Sequence, residues 1–267
     1  MANGHCIFCG STDMSREHIW PKWAAPLLIP KAYKGLRSEV FIVKMKKNQT
    51  VFDEVKNHHG HTANKKIPAV CKSCNNNWMS ALEARVKDIA IPLMEGKAID
   101  LTPAMQTTLA EWVTLKVFVG ENNKPSEIVF PQEMRNAFKE NRTIPSCMNL
   151  WIGRCTSEIW RTVYFKQSML IGLNLNVAPN GGRKNVQSTT LAIGELFIFS
   201  MSCVTEGIDL NDLIRVNDAL VRIWPVSHQT ITCPLDKILT SDQAKEIAWS
   251  LDLIVNSPRT LWKELLN

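Results

Sequence analysis

The sequence has no basic stretch followed by an apolar run at its start. It opens "MANGHCIFCG", so no secretory signal peptide is expected. It has no apolar run long enough to span a bilayer. The longest, such as "LAIGELFIFSM" (191–201), are interrupted by glycine or acid, so no membrane partner is expected. Internal repeats and low-complexity tracts are also missing, and the composition excludes a disordered or fibrous chain. A soluble, cytoplasmic protein is the expectation. What is present is 45% hydrophobic content in 267 residues, enough to bury a sizeable core in one large or two modest domains.

Net charge is absent from the second part of the chain. Residues 101–267 carry 16 Lys and Arg against 16 Asp and Glu, whereas residues 1–100 carry 15 against 9. The formal excess of +6 therefore lies wholly in the N-terminal part. A basic segment beside a neutral one suggests a polyanionic partner, although a solvated basic face has the same composition. Four cysteines bound to zinc as thiolates would contribute about −2 net and make that part less basic than the formal count.

Of the eight cysteines, four form two C-x-x-C pairs, "CIFC" (Cys6, Cys9) and "CKSC" (Cys71, Cys74), separated by 61 residues. The others, Cys147, Cys155, Cys203 and Cys233, follow no pattern and read as buried small hydrophobes. In a cytosolic chain such pairs argue for metal rather than disulfides. Each pair forms a tight knuckle with both sulfurs aimed at one centre, and two knuckles complete a tetrahedral thiolate set for one structural Zn²⁺. The insert is wider than in a compact zinc ribbon, so a small subdomain is expected between the knuckles. No βαβ context flanks either pair, which argues against a thioredoxin-like site.

Periodicity gives the rest. "SEVFIVKMKK" alternates as a strand does, with "QTVFDEV" as a hairpin partner, and "KIPAV" is a short strand leading into the second knuckle. From Asn75, "NNNWMSALEARVKDIAI" is helical, with Trp78, Leu82, Val86 and Ile89 on one face and Pro92 and Gly96 closing it. "LTPAMQTTLAEWVTLKVFV" is a second helix with Thr102 as N-cap and Pro103 at the first helical position. "PQEMRNAFKEN" is a third. "MNLWIGRC", "EIWRTVYF", "SMLIGLNLNV", "STTLAIGELFIFSM" and "ALVRIWPV" read as successive strands. "SDQAKEIAWSLDLIV", with Ser241 as N-cap, and "PRTLWKELL" are terminal helices. The expected fold class is α+β: an N-terminal zinc-stabilised domain over residues 1–95, then an α+β domain with an antiparallel sheet over 96–267.

Between the knuckles' ends stands "SREHIWPKW" (15–23), with an acid directly before a histidine. Zinc would tie the chain before Glu17 to the chain before Asn75 and so gather a carboxylate, an imidazole and the first turn of a helix. That set suits phosphodiester hydrolysis. Glu17 and Asn75 are oxygen ligands for a Mg²⁺-like cation with open water positions. The cation neutralises phosphate charge and stabilises the leaving oxygen. His18, with an ordinary pKa of about 6.5, is suited to deprotonating the attacking water. Pro21 stiffens the segment that follows.

On "CIFCGSTDMSREHIWP" and "VCKSCNNNWMSALE", covering roughly residues 5–85, the chain resembles the HNH, or ββα-metal, nuclease family. The resemblance implies a metal-dependent endonuclease acting on DNA. It implies His18 as general base, Glu17 and Asn75 as ligands of catalytic Mg²⁺ or Mn²⁺, and structural zinc on Cys6, Cys9, Cys71 and Cys74. Glu17 stands where Asp is commoner, Asn75 replaces the final His, and Asn64 is the candidate for the family's middle Asn. "EHIWPKW" and "CNNNWMSALE" are also similar to a bacterial subgroup with an EH…CNNGW pattern and a longer C-terminal region. Other readings stand beside these. Asn75 is also a candidate helix cap, and Asn76 and Asn77 are rival oxygen ligands. "HHGH" (His58, His59, His61) reads as a hairpin tip or as an extra metal or phosphate contact. Trp20, Trp23 and Trp78 read as a mini-core or as base-stacking rings. "GGRKN" (181–185) reads as a solvated loop or a phosphate contact. The rival function is a non-catalytic zinc module that binds nucleic acid or a protein partner. A third places the function in the C-terminal domain, as a partner-binding or sensing unit of a defence or mobile-element system.

Overall fold

The computed structural model of the chain describes residues 4–28, 37–46, 49–59, 66–170, 183–206, 218–233 and 235–251, with 37–46 and 49–59 described by their backbone alone. Strand β1 (Met14–His18) pairs antiparallel with β4 (Lys66–Cys71). Between them in sequence lie β2 (Arg37–Lys46) and β3 (Gln49–His59), which form an antiparallel ribbon of their own. The ribbon corrects one expectation. Its strands close at Lys46 and Gln49, while His58 and His59 stand opposite Ser38 and Arg37 at the open end. His58 and His59 are therefore not at the tip of this hairpin, and Gly60, His61 and Asn64 lie outside the described residues.

Strand β4 runs straight into helix. One short turn, α2 (Lys72–Cys74), is followed by a π-helical turn over Asn75–Met79 and then by α3 (Ser80–Met94). The helix thus begins three residues before the expected start at Asn75, with Cys71 as its N-cap. Pro92 sits inside α3 rather than ending it. Gly96 follows the helix with φ +66, the left-handed conformation a side chain disfavours. Strand β5 (Ile99–Leu101) leads to α4 (Pro103–Glu121), whose N-cap Thr102 accepts a hydrogen bond from the Met105 amide. Pro103, at the first helical position, has no amide to leave unpaired there. After α4 come α5 (Gln132–Asn141), β6 (Met148–Arg154) and β7 (Thr162–Met169). Residues 158–160 of the expected strand "EIWRTVYF" form a 3-10 turn instead.

"STTLAIGELFIFSM" divides into β8 (Val186–Ile193) and β9 (Leu196–Cys203). Gly194 turns the chain between them with φ +60, and a Cβ there would strike the carbonyl of Met94 at the end of α3. The chain continues through β10 (Leu220–Trp224), β11 (Ile231–Cys233) and α6 (Ser241–Ala248), capped by Thr240 in a capping box with Gln243 rather than by Ser241. "PRTLWKELL" and most of "SMLIGLNLNV" lie outside the described residues. Five strands make one antiparallel sheet in the order β10-β6-β9-β8-β7. The fold is mixed helix and antiparallel sheet, α+β, with the four-cysteine cluster in its N-terminal region.

Strand alternation gives this sheet two apolar faces. Leu150, Ile152, Leu191 and Ile198 pack with α3 and α4, while Trp151, Phe197, Phe199 and Met201 pack with Ala244, Ile247 and Ala248 of α6. The first of these cores is continuous from Cys6 to Cys233 and crosses the expected boundary near residue 95. Phe8, at the tip of the first knuckle, is one of its links. Its ring meets Trp78 edge-on with centroids 5.0 Å apart and lies 6.4 Å from both Phe118 and Phe138.

At the C-terminal end of α4 the buried Glu121 accepts from Arg135 of α5 at 2.7 Å and from the Val129 and Phe130 amides at 2.8 and 3.2 Å. Arg135→Met is expected to lower stability by about 3–5 kcal/mol, because it strands a carboxylate in an apolar interior. Urea denaturation checks this, and a loss below about 1 kcal/mol would contradict it.

Candidate functional site

Two structures sit side by side at the junction of β1, β4 and the helix. The first is the cysteine cluster. The Sγ atoms of Cys6, Cys9, Cys71 and Cys74 all lie within 4.8 Å of one another, with Cys9 3.5 Å from Cys71 and 3.6 Å from Cys74. Among the described residues it is the one His, Cys, Asp and Glu group with metal-holding geometry. The knuckles are locked by backbone: Gly10 donates to the Cys6 carbonyl, Ile7 to Ala69 and Lys72 to Asp13. The Cys71 sulfur also accepts from the Cys74 amide at 3.4 Å.

Burial raises the thiol pKa of Cys6 and, more strongly, that of Cys74. For Cys71 the same burial is outweighed by hydrogen bonds from the Cys74 amide and from Cys9 and the other thiols, and its pKa falls to about 7. The donor set fits one tetrahedral zinc, the metal suited to four thiolates.

The second structure is an open cleft of about 500 Å³ beside the cluster. Glu17, His18 and Asn75 all line it, so the three residues named from sequence are brought together. Pairing within β1 and β4 explains how. Ser15 stands opposite Val70 but Glu17 opposite Ile67, so β4 carries one extra residue, a bulge at Pro68–Ala69 where proline's missing amide breaks no ladder bond. Ser15 and Glu17 share a face of β1, and the Asn75 amide donates to the Ser15 hydroxyl at 3.0 Å. Asn75 is therefore not the helix cap, a place taken by Cys71. Of its rivals, Asn76 lines the cleft, while Asn77 turns away and donates to Ser73 at 3.3 Å.

Glu17 is buried, and its Oε1 accepts from Lys116 of α4 at 2.8 Å. Lys116 also donates to Glu83 of α3 at 2.7 Å and to the His18 carbonyl at 3.2 Å. Burial disfavours the ammonium, but Glu17 and Glu83 outweigh it and raise the Lys116 pKa, so Lys116 keeps its charge. His18 stands opposite Lys66 in the ladder, and its imidazole pKa is lowered by desolvation first and by Lys66 next, against the opposing pull of Glu17. It is neutral at physiological pH and able to accept a proton. Arg16, Lys22 and Lys66 give the rim of the cleft positive charge.

Sequence reasoning missed Glu83 and Lys116. Glu83 was within reach, two turns along the helix from Asn75 and so on the same side. Lys116 had a weaker signal, a lone cation in the apolar run "EWVTLKVFVG". Trp20 and Trp78 belong to the core: Trp20 is 1% exposed, and the Arg142 guanidinium lies 4.0 Å over Trp78. Trp23 packs on Trp112 at 6.3 Å and also lines the cleft. Of "GGRKN", Gly181 and Gly182 lie outside the described residues, while Lys184 donates to the Ser168 carbonyl at 3.3 Å. No helix among the described residues is long and apolar enough to cross a membrane. Set against models of known protein families, curated proteins and solved structures, the chain matches none of them.

Proposed function

We propose that the protein is a metal-dependent endonuclease of the HNH, or ββα-metal, kind, hydrolysing phosphodiester bonds in DNA. One observation carries the reading: Glu17, His18 and Asn75, distant in sequence, line one cleft beside a four-cysteine cluster. The order β1, β4, helix, with the histidine at the end of β1 and the asparagine just after the last cysteine, is the order the resemblance requires. Zinc in the cysteine cluster would be structural. A Mg²⁺ or Mn²⁺ ion held by Glu17 and Asn75 would supply charge neutralisation at the phosphate. His18 takes the proton of the attacking water. Arg16, Lys22 and Lys66 draw the DNA backbone to the rim, so binding weakens steeply with salt.

The pairing of Glu17 with Lys116 favours the rival reading, in which the same parts form a non-catalytic zinc module that binds nucleic acid or a protein partner. The pH profile of plasmid cleavage separates the two. A general base works unprotonated, and His18 is lowered from 6.5, so kcat/KM should be flat near neutrality and fall as pH drops through a value below 6.5. Lys66→Met removes a cation that disfavours the imidazolium, so the acid limb should move to higher pH. A limb that stays in place or moves down contradicts His18 as the base. A chain that never cleaves, at any pH or divalent metal, supports the zinc module.

A further inference from the structure

The cleft floor carries a group that neither the zinc cluster nor hydrolysis calls for. Lys116 comes from α4, outside the β1–β4–α3 unit, and its side chain is 1% exposed. An ammonium has three N–H donors and no acceptor. All three are used here, on Glu17 Oε1, Glu83 Oε1 and the His18 carbonyl. The side chain is thus fixed, and it holds carboxylates from β1 and α3 together. Two carboxylates against one ammonium leave the floor a single negative charge. Among the described residues, the second oxygen of each carboxylate carries no hydrogen bond, and both residues line the cleft.

We propose that Lys116 is a tethered cation that positions Glu17 and competes with the divalent ion for it, and that Glu83 is a second carboxylate ligand of that ion. The inference rests on the reading of Glu17 as a metal ligand. Physically, a fixed unit charge within a few ångströms repels a divalent ion by an amount worth at least about tenfold in affinity, even after screening. Lys116 keeps the two carboxylates at bonding distance without letting them become a permanent trap for metal. The divalent ion then binds firmly only when a phosphate adds its own negative charge.

The test is Mn²⁺ binding to the zinc-loaded full chain, read from the electron paramagnetic resonance of free Mn²⁺. Lys116→Met, similar in length and apolar like the rest of its helix face, should tighten Mn²⁺ at least about tenfold. Glu83→Gln keeps an acceptor for Lys116 but removes a charge and a ligand, and should weaken Mn²⁺ about tenfold or more. The opposite signs separate the proposal from a merely structural role, which would weaken both variants or leave both unchanged. Unchanged or weaker binding in folded Lys116→Met overturns the proposal. If circular dichroism shows that variant unfolded, Glu83→Gln decides alone: weaker binding with unchanged circular dichroism and melting temperature supports the proposal, and equal or tighter binding, or weaker binding with a lowered melting temperature, overturns it. Mn²⁺ shifts of both expected signs in protein that never cuts DNA would leave the tethered cation standing and end the nuclease reading. Cleavage with equal Mn²⁺ affinity in all three proteins would do the reverse, and no Mn²⁺ binding in any of them would overturn both.

Discussion

His18→Ala is expected to cleave plasmid DNA about 10²–10⁴-fold more slowly than the wild type, the usual cost of removing a general base. Among the described residues, no other imidazole lines the cleft to replace it. Fold and zinc content should survive, because what His18 gives the cleft floor is its backbone carbonyl, which alanine retains for Lys116. The ligand variants should behave differently. Glu17→Gln keeps an acceptor for the buried ammonium of Lys116 while removing the charge that attracts the divalent ion. Asn75→Ala removes a neutral ligand. Both should need more metal, Glu17→Gln the more so, and high Mn²⁺ should partly restore them but not His18→Ala. The measurement is initial cleavage rate against Mn²⁺ concentration for the three variants. Full rescue of His18→Ala by metal would place His18 among the ligands rather than as the base.

Cys71→Ser is expected to abolish stoichiometric zinc and to lower the melting temperature sharply. Apparent zinc affinities in small thiolate sites are worth about 10–16 kcal/mol, comparable to or above the whole stability of an ordinary domain, about 5–15 kcal/mol. The effect should spread beyond the knuckles. Phe8 stands between the two cysteines of the first knuckle and is packed against Phe118 of α4 and Phe138 of α5, and Gln132 of α5 donates to the Ile7 carbonyl at 2.7 Å. Releasing the knuckle therefore opens the core that α4 and α5 share. Elemental analysis should find about one zinc per wild-type chain and less than that in the variant. A variant that keeps both full zinc and wild-type melting would contradict the assignment.

How much of this was legible depended on the range of the signal. The four cysteines were legible because two C-x-x-C pairs fix their own local geometry, and the structure brings all four sulfurs together. Thr102–Pro103 marked the start of α4 because capping chemistry is local. The cap of α6 was misplaced by one residue because Thr240 and Ser241 offer the same hydroxyl, and only the Gln243 side chain, reaching back to the Thr240 amide at 2.9 Å, chooses between them. Strand β1 went unseen because "MSREH" has no apolar alternation, and it is held by pairing with β4. "STTLAIGELFIFSM" read as one strand because both of its faces are buried, so β8 and β9 have no polar side to mark them. In the site, Glu17, His18 and Asn75 were legible as neighbours of the knuckles. Lys116 was not, since its role depends on α4 packing across β1 and α3, which brings it to Glu17 and Glu83, 99 and 33 positions away in sequence.

The central claim is tested most directly by incubating zinc-loaded wild-type protein with supercoiled plasmid in Mg²⁺, in Mn²⁺ and in EDTA, with His18→Ala as the matched control. The account expects nicked or linear DNA from the wild type with either divalent ion, none in EDTA, and little or none from His18→Ala. Cleavage that persists in EDTA, or that runs at the wild-type rate without His18, would contradict it.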